Sequence, residues 1–112
     1  MDILFADKKL EKICNDYRQL QKVYGEKRAK KLHQRLDELR AADILADISH
    51  LPPPRLHQLI GDRENQFSVD LDHPYRLIFY VADNPVPLKD DGGIDLSKVT
   101  AILIQGVEDT HE

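Results

Sequence analysis

Cysteine occurs once in the 112 residues, as Cys14. A single thiol cannot cross-link the fold, so disulfide scaffolds are excluded and a reducing compartment, the cytoplasm, is expected. No apolar run approaches the roughly 18 residues of a membrane span. The opening MDILFADKK has no basic segment ahead of a long apolar one, so no secretory signal is expected. The histidines, His33, His50, His57, His73 and His111, show no short ligand spacing, and the cysteine falls in a helical pattern, which argues against zinc. Asp90-Asp91-Gly92-Gly93 is part of a calcium-loop pattern without its remaining ligands. Phosphate loops, dinucleotide fingerprints and nucleophile elbows are absent. No repeat or linker divides the chain, so one domain over residues 1–112 is expected.

Apolar residues make up 41% and charged residues 32%, as in a soluble globular protein. A chain of this length can bury roughly 65% of the surface its unfolded form exposes. The net charge of −4 is unevenly spread. Residues 8–40 hold eleven Lys/Arg against five Asp/Glu, a net of +6, and the remainder holds five against fifteen, a net of −10. The basic segment reads either as a solvated helical pair or as a face that docks on a phosphate-rich surface. The acidic remainder argues against a generally basic nucleic-acid binder.

Periodicity places the elements. Ile3 and Phe5 alternate in a short strand. Asp7 is a helix N-cap, followed by Leu10, Ile13, Tyr17, Leu20 and Tyr24 at helical spacing, with Gly25 ending that helix. Ala29, Leu32, Leu36 and Leu39 form the stripe of a second helix, and ADILADI a lesser helical piece. Pro52-Pro53-Pro54 stops helix formation. The period then becomes two. Phe67, Val69 and Leu71 mark a half-buried strand, Tyr75, Leu77, Phe79 and Val81 a second, and KVTAILIQGV an apolar central one. The segment from Asp83 to Asp95 reads as an exposed loop. The fold class is therefore α+β, with helices on one face of a small antiparallel sheet. Its concave face would collect residues 55–63, 72–80 and 108–111.

His57 and His111 sit at strand ends far apart in sequence. Two imidazoles flanking one phosphodiester can act as base and acid, because an unperturbed imidazole titrates close to neutrality. In RNA the base would take the 2′-hydroxyl proton and the acid would protonate the leaving 5′-oxygen. Arg55, Arg63 and Arg76 would stabilise charge building on the phosphoryl oxygens. The alternative is that both histidines are surface residues. No cofactor is called for.

The stretch RLHQLIGDRENQFSVDLDHPYRLIFYV, with the terminal EDTH, resembles the HigB branch of the RelE/ParE toxin superfamily, the killer proteins of plasmid-maintenance toxin–antitoxin pairs. Leu56, His57, Leu59, Gly61, Asp62, Arg63, Ser68, Tyr75, Arg76, Phe79, Glu108, Asp109 and His111 carry the resemblance, and the opening strand and DKKLEKI also fit. It covers nearly the whole chain apart from the 83–97 loop. It implies a curved antiparallel sheet backed by an N-terminal helical pair. It also implies metal-independent cleavage of mRNA on translating ribosomes, and a small helix-turn-helix antitoxin as partner. His57, Asp109 and His111 fall on the family's active-site positions, and Arg63 and Arg76 on basic positions that are either functional or structural, for instance paired with Asp62.

Three positions depart from the pattern. Ile60 replaces a frequent lysine, Thr110 an aromatic residue, and Asp72 a residue that is often basic. These changes would lower phosphate affinity and transition-state stabilisation. Tyr75 or Tyr80 would be the substitute stacking ring, with core packing as their other use. The alternative function is a RelE/ParE-fold protein with weak or no nuclease activity that binds an antitoxin or another target such as gyrase. An unrelated α+β domain would require the motif match to be coincidence.

Overall fold

A computed structural model describes residues 1–61, 63 and 65–110 of the chain. Strand β1 (Asp2–Phe5) leads into α1 (Lys8–Cys14). The Asp7 carboxylate accepts a hydrogen bond from Leu10 N at 2.7 Å, which satisfies one of the open donors at the helix start. The single helix expected up to Gly25 is instead two. Helix α2 (Tyr17–Tyr24) restarts at Asp16, whose carboxylate accepts from Arg18 N at 3.0 Å. Short polar side chains at Asn15 and Asp16 compete with the backbone for hydrogen bonds, and so favour a break over continuation. Tyr17 consequently lies at the surface, edge-on to His33 with ring centroids 5.3 Å apart.

Helix α3 (Glu26–Ala41) buries the expected stripe of Ala29, Leu32, Leu36 and Leu39. It also buries Arg35, which is only 2% exposed. The Arg35 Nε donates to the Asp70 carbonyl at 2.8 Å, and Nη1 donates to both Glu38 carboxylate oxygens at 3.1 and 3.2 Å. The lesser helical piece is a 3₁₀ turn over Leu45–Asp47.

Strands β2 (His57–Gln58), β3 (Gln66–Asp70), β4 (Tyr75–Val81) and β5 (Ala101–Asp109) complete the molecule. They join β1 in a five-stranded sheet of order β1-β5-β4-β3-β2. The sheet is mixed, where the sequence implied an antiparallel one. β1 pairs parallel to β5, with Ile3 opposite Ile102 and Phe5 opposite Ile104. A long connection is required for a parallel pair, and residues 6–100, which hold the helices and β2 to β4, supply it. β5 takes the interior place expected of it. The architecture is α+β with the helices N-terminal and most of the sheet C-terminal.

The helical stripe packs on Phe67, Val69, Leu77, Phe79, Ile102 and Ile104 of the sheet. Phe67 and Phe79 are register partners, with rings stacked 6.0 Å apart. β3 is buried on both sides at its centre, since Ser68 is as inaccessible as its neighbours. The register slips between Ile78 and Phe79, which leaves Gln105 unpaired on β5. Such a bulge bends the strand and increases its twist. Gly106 beside it has φ +146°, a conformation L side chains rarely adopt.

The 83–97 loop is less open than expected, because Ile94 reaches the core. Its start is pinned by Asp83, whose carboxylate accepts from Thr100 N, from Thr100 Oγ1 at 2.7 Å and from Ala101 N at 3.0 Å. Partial burial works against the Asp83 charge, but these donors outweigh it and hold the carboxyl below its ordinary range. A depressed folded-state value means that this stabilisation is present above the unfolded carboxylate range and is lost as pH falls through the folded value. Asp83→Asn is expected to lower the urea midpoint at neutral pH and to flatten its decline below about pH 4. Arg35→Ala removes a buried stem and leaves the Asp70 carbonyl without its donor. It is expected to cost roughly 3 kcal/mol in a urea titration, more than most surface changes.

Candidate functional site

Opposite residues of an antiparallel pair project to the same face of the sheet. On the face away from the helices, β2 therefore contributes His57, β3 contributes Gln66, Ser68 and Asp70, and β4 contributes Arg76, Ile78 and Tyr80. Glu108 of β5 joins them through its pairing with Arg76. His57 is exposed and lies directly across from Ser68, one place along from Asp70. The 66–70 contribution to this face was missed in the sequence reading. The alternation Gln66-x-Ser68-x-Asp70 was the available signal.

All three arginines singled out from the sequence reach this face, and each meets a carboxylate. Arg55 donates through Nε to Asp70 at 2.7 Å and through Nη2 at 3.1 Å. This bidentate bond raises the Arg55 pKa above its already high value, against an opposing burial effect and with a smaller contribution from the Asp70 charge. Arg76 Nε lies 3.5 Å from the same carboxylate. Arg63 donates to Glu108 at 2.8 Å and to the Gln66 side chain at 2.8 and 3.1 Å. Arg55, Asp70, Arg76, Glu108 and Arg63 thus form a row of alternating sign across the sheet. The Arg63 bridge runs from the β3 side to β5. Ser68 and Ile78, between its ends, are fully buried, and Ser68 Oγ has no hydrogen-bond partner among the described residues.

At the lower end of the row, Arg55, Asp70, His73, Tyr75, Arg76 and Thr110 line a cavity of about 210 Å³. Asp109 pairs with Tyr75 in register, which sets it on the helix side of the sheet, away from His57. His111 and Asp62 lie outside the described residues. The structure thus brings together His57, Arg55, Arg63 and Arg76, and does not add Asp109 to them.

The three departures have separate places. Ile60 is 85% exposed. Thr110 donates through Oγ1 to the Pro74 carbonyl at 3.1 Å, tying the end of β5 to the start of β4. Asp72 is held by Arg28 of α3 at 3.1 and 3.3 Å. The same guanidinium stacks 3.4 Å over the Tyr75 ring, so that ring is already covered. Tyr80 stands on the groove face, half-buried. Cys14 takes no part, since burial pushes its thiol up to about 11 against a weaker pull from Arg40.

An α+β domain with N-terminal helices backing a small sheet is consistent with a RelE-like fold. The sequence model of the family described as "RelE-like toxin of type II toxin-antitoxin system HigB" matches residues 3–89, and the chain belongs to this HigB-like family. Toxins of type II systems act opposite an antitoxin, so an antitoxin partner is implied. The match covers His57, the three arginines and Asp70, and stops before β5. No curated protein matches the chain. No helix among the described residues is long and apolar enough to cross a membrane.

The Arg63–Glu108 pair is 37% and 40% exposed, so solvent screens much of its attraction. A double-mutant cycle of Arg63→Ala and Glu108→Ala is expected to give a coupling of about 1 kcal/mol or less, shrinking as salt rises.

Proposed function

We propose that this toxin is a ribosome-dependent, metal-independent endoribonuclease that cuts mRNA in the groove containing His57. The observation that carries the reading is the placement of an exposed imidazole on one sheet face with three guanidinium groups. In this reading the RNA backbone lies along the row, and Arg55, Arg63 and Arg76 take up the charge on the non-bridging oxygens of the scissile and neighbouring phosphates as the 2′-oxygen attacks. His57 and His111 share the general base and acid roles. Asp109 contributes by fixing the strand end from which His111 departs. The lysines and arginines of α1, α2 and α3 dock on ribosomal RNA, and a helix-turn-helix antitoxin completes the pair in the cytoplasm.

A second reading has one observation in its favour. Every groove arginine is already paired with Asp70 or Glu108, which suits a protein that keeps the toxin fold for binding its antitoxin or another target such as gyrase, with weak cleavage. Induction of the chain alone, with mRNA 5′ ends mapped on ribosomes, separates the two. Growth arrest with new codon-registered ends is expected, and His57→Ala and His111→Ala are each expected to reduce cleavage by roughly 10²–10⁴-fold. Intact mRNA and normal growth from well-expressed soluble protein would establish the binding reading instead. Arrest without new ends would point to another target.

A further inference from the structure

We propose that Asp70 is an internal anion that competes with RNA phosphate for Arg55 and Arg76, and so sets how tightly the groove holds its substrate. The inference rests on the groove being a phosphate-binding surface. Nothing in the HigB-like match assigns this role to Asp70.

The geometry is that of an occupied anion site. Asp70 engages Arg55 through Nε and Nη2, a bidentate pairing of the kind guanidinium also makes with phosphate. Arg76 approaches the same carboxylate from the neighbouring strand at 3.5 Å. Among the described residues, Asp70 engages Arg55 only through Nε and Nη2 and Arg76 through Nε, which leaves Arg55 Nη1 and the Nη groups of Arg76 to meet an incoming oxyanion. Both arginines line the cavity of about 210 Å³, which is large enough for one phosphate group. Any phosphate that enters sits beside a carboxylate that is already bonded to its ligands. The Asp70 side chain is only 27% exposed, so solvent screens that repulsion incompletely.

Position strengthens the case. Asp70 lies two residues along β3 from Ser68, the register partner of His57, at a separation of about 7 Å along the strand. That is of the order of one nucleotide of extended backbone. A chain bonded at His57 therefore presents its neighbouring phosphate to the Asp70 cluster. The strand does not depend on the carboxylate for its shape. The Asp70 carbonyl is held by Arg35, and its N–H donates to the Pro54 carbonyl at 2.7 Å. Removing the charge leaves both contacts in place.

The test uses the full chain and a short 2′-O-methyl oligoribonucleotide, which keeps the phosphates and cannot be cleaved. Asp70→Asn is expected to tighten binding by about tenfold at fixed salt. Arg55→Gln in the Asp70→Asn background is expected to abolish most of that gain. Asp91→Asn, an equal change in net charge on the exposed loop, is expected to leave affinity within about twofold. Asp70→Thr, whose β-branched side chain suits a strand, provides a second neutral variant should the amide fold poorly. Unchanged or weaker binding in the folded variants would overturn the proposal, as would the absence of any oligonucleotide binding by wild type and variants at low salt. Loss of the nuclease reading is seen separately, as intact mRNA on ribosomes, and leaves the Asp70 effect on binding still readable.

Discussion

Asp70 is where the two sides of the sheet are joined. Its carbonyl accepts the buried Arg35 guanidinium from the helical side. Its N–H donates to the last carbonyl of the triple proline, that of Pro54. Its carboxylate gathers Arg55 and Arg76 on the open face. Helix position, strand-edge path and groove electrostatics therefore converge on one residue. Arg35 can be buried because it is supplied with acceptors at Asp70 and Glu38, which a buried charge requires. That burial fixes the end of β3, and the end of β3 fixes where the groove arginines meet.

The charge pattern distinguishes this groove from a simple basic cleft. The row across β3, β4 and β5 alternates in sign, and its arginines exceed its carboxylates by one. Paired guanidinium groups are held in place, so an incoming anion meets ordered donors rather than flexible ones. The same pairing opposes tight phosphate binding. Asp72, which on the sequence reads as a loss of positive charge from the site, is spent elsewhere. It ties the β3–β4 turn to Arg28 of α3, with the Tyr75 ring beneath that guanidinium. The carboxylate that acts in the groove is Asp70.

Much of the fold was legible in the residues because burial follows period. Leu32, Leu36 and Leu39 at helical spacing, and Phe67, Val69, Leu77 and Phe79 in alternation, form the core that the pattern demands. Two features were not legible. The break at Asp16 depends on a side chain preferring a cap over an apolar spacing that would have continued the helix. The parallel pairing of β1 depends on where the 83–97 loop returns the chain from β4 into β5, which no local pattern encodes. In the site, the chemistry of the residues points to His57, Arg55, Arg63 and Arg76, and the resemblance points again to His57, Arg63 and Arg76. Their shared face follows from register, and so do the carboxylates opposite them. Asp109 shows the converse. It is adjacent in sequence to Glu108 yet faces the other way, because alternate strand residues do.

The parallel β1–β5 ladder has a kinetic meaning. Ile3 waits for Ile102, and Phe5 for Ile104. During synthesis the helices and the β3–β4 hairpin can form from residues close in sequence, but the sheet cannot close until residues 101–104 have emerged. Contacts of such long sequence separation are slow to form, and until they do the β5 position beside β4 stands open. For a toxin, this ordering keeps the sheet open until β5 has formed.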